Sequence, residues 1–162
     1  MKHLSEEITV RPAGEDDLSH LADLWSRLQQ YHRELGLAFP GSSDAPQKWL
    51  DSFRRTLGRF SFAWIAEAEG SPKGFLLARV KQSPGFLGAV QVGEISDLYI
   101  TDDARAAGIG SRLVEEAMQK FESLGMYSVE VQILSGNDEG IAFWLKRGFK
   151  PDLMLVRKML KE

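Results

Sequence analysis

Between about residue 90 and residue 133 the chain changes its hydrophobic period twice, and this run restricts the fold more than any other feature. A stretch bearing Val92, Ile95, Tyr99 and Ile100 has strand composition and ends at the polar Thr101-Asp102-Asp103. Ile109, Leu113, Val114, Ala117, Met118, Phe121 and Leu124 then recur at helical steps until Gly125 stops them. Val129, Val131 and Ile133 alternate directly afterwards. A strand, a helix and a strand joined this closely form a crossover, which is right-handed and places the two strands parallel when they share a sheet.

The remaining segments extend the same pattern. Ile8 and Val10 form a short alternating strand ending at Pro12, and Glu15, Asp16 and Asp17 suit a helix N-terminus. Leu18, Leu21, Trp25, Leu28 and Leu35 make one helical stripe, closed by Gly36. A loop of turn formers from Ala38 to Asp44 precedes a second helix carrying Trp49, Leu50, Phe53 and Leu57, with Ser43 or Asp44 as its cap. Phe62 to Ala66 and Gly74 to Val80 flank the turn Glu69-Gly70-Ser71 as a β-hairpin. A last helix, from about Asn137 to Arg147, ends at Gly148, and Leu153, Leu155 and Arg157 are expected to carry a final strand. The expected order is β-α-α-β-β-β-α-β-α-β, an α/β fold with a mixed sheet.

Composition narrows the function classes. The chain has 162 residues, one domain's worth, with 43% hydrophobic and 27% charged residues, which argues against disorder and coiled coil. A net charge of -3 lacks the positive field that nucleic-acid binders use, so no nucleic-acid partner is expected. Zero cysteines exclude disulfides, thiolate metal sites and cysteine nucleophiles. The three histidines show no metal-ligand spacing with carboxylates, and no metal is expected. No apolar run reaches the roughly 18 residues of a membrane span, and the first residues lack a signal-peptide core. The expectation is a cytoplasmic protein of a single domain, residues 1–162, with no membrane partner.

Chemistry concentrates in the loop Arg105, Ala106, Ala107, Gly108, Ile109, Gly110 and Ser111, which opens onto the third helix. The first turn of a helix has unpaired N–H groups and the positive end of its dipole, and small residues let a phosphate approach. The glycines alone are equally explained by a tight turn. A Walker loop needs Gly-Lys-Ser/Thr, but Gly110 is followed by Ser111 and Arg112. A dinucleotide fingerprint needs a third glycine where Leu113 stands.

With Arg105, Gly108 and Gly110 at these positions, the loop resembles the Arg/Gln-x-x-Gly-x-Gly/Ala signature of the GNAT superfamily of acyl-coenzyme A dependent N-acetyltransferases. The resemblance extends over Ile8-Thr9-Val10-Arg11-Pro12-Ala13, Ile65-Ala66-Glu67, Gly74-Phe75, Leu98-Tyr99-Ile100, Asn137 and Gly148-Phe149. It implies a central mixed, mostly antiparallel sheet flanked by about four helices, whose parallel fourth and fifth strands splay apart to admit acetyl-CoA as cosubstrate. The pantetheine arm would pair with main chain around Leu98, Tyr99 and Ile100, as an added strand does. Backbone amides from Arg105 to Ser111 would hold the pyrophosphate, and Asn137 would contact the coenzyme or cap its own helix. Arg105 and Arg112 would add positive charge nearby.

Direct acyl transfer to an amine needs a base for the ammonium proton and benefits from an acid at the departing thiolate. The resemblance points to Glu94 and Asp97 as bases, with Glu94 preferred. Their three-residue spacing places them on opposite faces of a regular strand unless a bulge intervenes. The acid position, seven residues after Asn137 beside the coenzyme sulfur, holds Trp144 where the family pattern has tyrosine. An indole N–H gives up no proton near neutral pH. Tyr31, Tyr99 or water would then serve, or no acid is needed, and Trp144 is equally a core residue. Tyr31, His32 and the loop from Phe39 to Asp44 lie where the family builds its acceptor cleft. The expected activity is acetylation of a primary amine, on a small molecule or a protein. The alternative is a catalytically degenerate acyl-CoA sensor or scaffold, and a homodimer through edge strands or the C-terminal strand is compatible with either. The negative net charge mildly favours a cationic acceptor.

Overall fold

A computed structural model describes residues 7–161. Its five strands run β1 (Ile8–Pro12), β2 (Ser61–Ala68), β3 (Ser71–Gln82), β4 (Gln91–Ile100) and β5 (Ser128–Val131), side by side in chain order. The four helices are α1 (Leu18–Glu34), α2 (Ala45–Arg54), α3 (Ile109–Ser123) and α4 (Asp138–Lys146). β1 through β4 pair antiparallel, and β4 with β5 parallel, as a helix-containing crossover requires. The β2–β3 hairpin turns through Glu69 and Gly70, both at positive φ, the backbone of the tight turn that suits strand twist. No described helix is long and apolar enough to cross a membrane.

Alternation along the strands sends side chains to two separate cores. Trp64, Ala66, Leu76, Ala78 and Ile95 meet Ile109, Leu113, Ala117 and Phe121 of α3 on one face, with Trp144 of α4. Ala63, Ile65, Phe75 and Leu77 meet Leu21, Leu24 and Leu28 of α1 and Trp49 and Phe53 of α2 on the other. Two residues apart along a strand means the same face, so each strand contributes to both layers. Arg11 ties the start of the fold together, donating to Asp17 ahead of α1 and to Glu67 on β2 at 2.8 Å each. The same pairing holds the Asp17 carboxyl below its ordinary range.

The final strand expected at Leu153, Leu155 and Arg157 does not form. A strand exists through its ladder, and no ladder partner joins residues 150–161, which stay exposed. Leu153, Met154, Leu155 and Val156 are also an unbroken apolar run rather than an alternation, so the pattern carried no facing information. The contact this segment does make is the Arg157 guanidinium over the Phe39 ring, at 4.6 Å.

Candidate functional site

The loop after β4 winds as a short 3₁₀ turn from Asp102 to Ala107 and reaches α3 through Gly108, which sits at φ +73. That left-handed conformation is the reason for glycine there, since an added Cβ would meet nothing within 4 Å. Gly110 is small for a different reason: a Cβ would stand 3.2 Å from the Phe143 ring of α4. Both glycines therefore have a structural role. What remains for a ligand is the first turn of α3, whose leading N–H groups have no partner within the helix. Arg105 is exposed but folded back onto the protein: its Nε donates to the Ile100 carbonyl at 3.2 Å, it pairs with Asp102 at 3.2 Å, and its guanidinium lies over the rings of Tyr31 and Tyr99. Arg112 donates to the Ile8 carbonyl of β1 at 2.8 Å.

Beside this loop the sheet opens. The β4–β5 ladder ends at Ile95 opposite Val131, yet β4 continues to Ile100. Residues 96–100 thus present a strand edge with no β5 partner, and Leu98, Tyr99 and Ile100 all lie on it. An extended chain of amides could pair there as an added strand does. Asn137 stands across this opening at the start of α4, where its Oδ1 accepts from the Gly140 N–H at 2.9 Å as the helix cap and from Tyr31 Oη at 3.4 Å. Trp144 is 6% exposed, edge-on to Phe143 and Phe149, in the α3-side core against which Leu98 and Ile100 of the open edge also pack.

A β-bulge at Ser96 decides where the two carboxylates point. Leu77 of β3 faces Asp97, while the next residue, Ala78, faces Ile95, so Ser96 is the extra residue on β4. The bulge restores to one face two residues that a regular strand would separate, and Glu94 and Asp97 both line a cavity of about 260 Å³ on the α1–α2 side. Trp25 and Trp49, stacked with centroids 5.2 Å apart, line the same cavity, with Arg79 and Gln132. The Ser96 hydroxyl donates to the Asp97 carboxylate at 2.9 Å. Burial nevertheless lifts the Asp97 carboxyl from 3.8 to about 6, against the opposing pull of Ser96 and Arg79. Glu94 is differently committed: Lys81 reaches it at 3.0 Å and also pairs with Glu130. Those two acids, Glu130 foremost, hold the Lys81 amine above its ordinary value.

Tyr31, Tyr99, Arg105 and Asn137 are thus linked to one another beside the open edge, while Glu94 and Asp97 line the cavity and Trp144 is buried on the α3 side. His32 is half-buried on α1, its pKa lowered by that burial. Three residues of the region were not read as site residues from the sequence. Arg79 and Trp49 look like an exposed strand residue and a core residue, and only the β3–β4 register and the α2 packing bring them to one cavity. Arg147, at the end of α4, lies over the Phe143 ring at 3.5 Å and hydrogen-bonds the Ser111 hydroxyl in the first turn of α3. No spacing in the sequence links positions 111 and 147. Among the described residues, no group of three or more acids or histidines could hold a metal ion.

Residues 23–149 match the family model described as acetyltransferase (GNAT) family. A phosphinothricin N-acetyltransferase of Streptomyces viridochromogenes is 25% identical over 135 residues, 83% of this chain and 69% of that protein. An uncharacterized N-acetyltransferase of Methanocaldococcus jannaschii is 23% identical over 159 residues, 91% of this chain, which spans 63% of that relative's length. In fold, the chain is similar to a predicted acetyltransferase of Clostridium acetobutylicum solved with acetyl-CoA, at a TM-score of 0.79 and 16% identity, covering 95% of this chain and 97% of that one. Since the family model spans most of the chain and the opened sheet and glycine loop accord with it, this protein belongs to the acetyltransferase (GNAT) family.

Proposed function

We propose that the chain transfers an acetyl group from acetyl-coenzyme A directly to a primary amine, with Asp97 as the base. The observation that carries this reading is the Ser96 bulge, which sets the Asp97 carboxylate in the cavity, on the strand whose next residues form the open edge. A carboxyl near 6 is mostly ionised at neutral pH yet still basic enough to take a proton. Glu94, the base preferred from the sequence, is neutralised by Lys81 and serves to hold that lysine at the rim.

Acetyl-CoA would supply an activated thioester. Its arm fits the edge formed by residues 96–100, and its pyrophosphate fits the first turn of α3, with Arg147 and Ser111 at the mouth. Asp97 removes a proton from the acceptor ammonium, directly or through one water. The freed nitrogen lone pair attacks the thioester carbon, so that a C–N bond forms and the C–S bond breaks. The coenzyme leaves as a thiolate and is protonated in turn; ordinary thiols have pKa values near 8.5, so water suffices. Tyr31 and Tyr99 stand nearest for that role, while Trp144 takes no part in it.

The test is calorimetric binding of acetyl-CoA combined with thiol release over a panel of amines. Amine-dependent release that collapses in Asp97→Asn and survives in Glu94→Gln is the expected result. Binding without release for every acceptor would instead favour the acyl-CoA sensor, and absence of binding would overturn the placement of the coenzyme at this opening.

A further inference from the structure

The acceptor cavity contains a cation as well as carboxylates, and the cation is uncommitted. Arg79 stands opposite Glu94 across the β3–β4 ladder, on the face that also carries Asp97. An arginine directly opposite a glutamate would ordinarily pair with it. Here Lys81 has taken Glu94, and the Arg79 side chain makes no hydrogen bond or ion pair among the described residues. The cavity therefore offers an exposed Arg79 guanidinium with no hydrogen-bond or ion-pair partner among the described residues, an Asp97 carboxylate that accepts only the Ser96 hydroxyl, and an apolar wall of stacked Trp25 and Trp49.

We infer that the acceptor is a zwitterion of amino-acid type, its ammonium on Asp97, its carboxylate or equivalent anion on Arg79 and its apolar side chain against the two indoles. This inference rests on the acetyl-transfer reading of the same site. Asp97 and Arg79 are diagonal neighbours on one sheet face, a relation that spans about 7–8 Å. An ammonium and a carboxylate one carbon apart, each within hydrogen-bond reach of its partner, fill such a span. A guanidinium takes a carboxylate in a two-pronged geometry that no ammonium ligand can use. It also repels a second positive charge, so the site disfavours polyamines and aminoglycosides even though the whole chain is acidic. The cavity volume of about 260 Å³ suits one small molecule rather than a peptide segment.

The experiment measures thiol release from acetyl-CoA with the free amino acids, their amides, the matching decarboxylated amines and linear diamines. The expected result is a KM about tenfold lower for apolar amino acids than for their amides, since an amide gives up the charge-assisted, two-pronged pairing with the Arg79 guanidinium. Arg79→Gln should raise KM for the acids by the same factor and leave the amides unchanged, and Arg79→Lys should restore part of the loss. Thermal melts of each variant separate a binding effect from a folding one. Amides or diamines used as well as the acids would overturn this inference while leaving acetyl transfer standing. Acetyl-CoA binding with no release for any acceptor would overturn both together.

Discussion

The two faces of the sheet are built from the same strands but meet different partners. On the α3–α4 face, Ile109, Leu113, Ala117 and Phe121 pack against β2, β3 and β4 with at most 1% of each side chain exposed. On the α1–α2 face the packing is as tight near Leu21 and Phe53, but beside β4 it gives way to a cavity holding Arg79, Glu94 and Asp97. The difference begins at Ser96. Before the bulge Ile95 points to the dry face, and after it Leu98 and Ile100 do so again, so the bulge keeps apolar residues on one side while placing two carboxylates on the other. One extra residue lets a single strand serve both a core and a polar cavity.

The sharpest test of this division is catalytic. Asp97→Asn should lower kcat/KM by about 10²–10⁴-fold, the usual contribution of a positioned base. It should also remove the rise in rate with pH, centred near 6, expected of the wild type as the carboxyl ionises. Glu94→Gln, by contrast, should stay within about tenfold, because Lys81 already occupies that carboxylate.

On the dry face the expected effect is on stability. Phe121→Ala should cost about 3–5 kcal/mol in urea unfolding, because a fully buried ring leaves a cavity. Trp25→Ala should cost about 1–2 kcal/mol, since its ring borders a space already open to water. Equal losses at the two positions would break the comparison.

Asp97 links the two properties. Its folded carboxyl lies at about 6 against an ordinary 3.8, so its contribution to stability is fully present below 3.8 and is lost as pH rises through about 6. Asp97→Asn should therefore stabilise the fold at pH 8 by about 2–3 kcal/mol and make no difference at pH 3. The groups that set this balance are Arg79 on β3 and Ser96 and Glu94 on β4; α1 and α2 face it with the Trp25 and Trp49 rings. Denaturant melts across that range read the difference directly.

Two smaller effects complete the series. Gly108→Ala should cost about 1 kcal/mol of strain at its positive φ and weaken acetyl-CoA binding by distorting the first turn of α3. Lys81→Met should change stability by less than about 1 kcal/mol, as its two ion pairs are part-exposed, and should leave Glu94 available to Arg79. In that variant the amino-acid preference should diminish, which a KM comparison of acids with amides would register.

Much of the fold was legible because its signals are local. Helical stripes such as Leu18, Leu21 and Leu28, or Ile109, Leu113 and Ala117, repeat within one element and state which side is buried. The strand, loop, helix and strand after residue 90 likewise fixed a parallel pair, and Gly108 marked the turn. The C-terminal strand failed where that reasoning is weakest, in an apolar run that declares no facing and whose existence depends on a ladder. Trp144 was read from sequence both as a coenzyme contact and as a core residue, and in the fold it is buried, edge-on to Phe143 and Phe149.

The four helices, the first five strands, the crossover and the glycine loop were all determined by the sequence itself. Periodicity and turn chemistry operate over a few residues, and the chain states them directly. Which carboxylate is free, which arginine is unpaired and which aromatics wall the cavity were decided by tertiary structure. Those outcomes depend on a bulge that shows no periodic signature, on Lys81 reaching Glu94 across two strands, and on Trp49 arriving from a helix nearly fifty residues before Asp97. Pairing across such distances is a competition among alternative partners, and only the assembled sheet shows which partner wins.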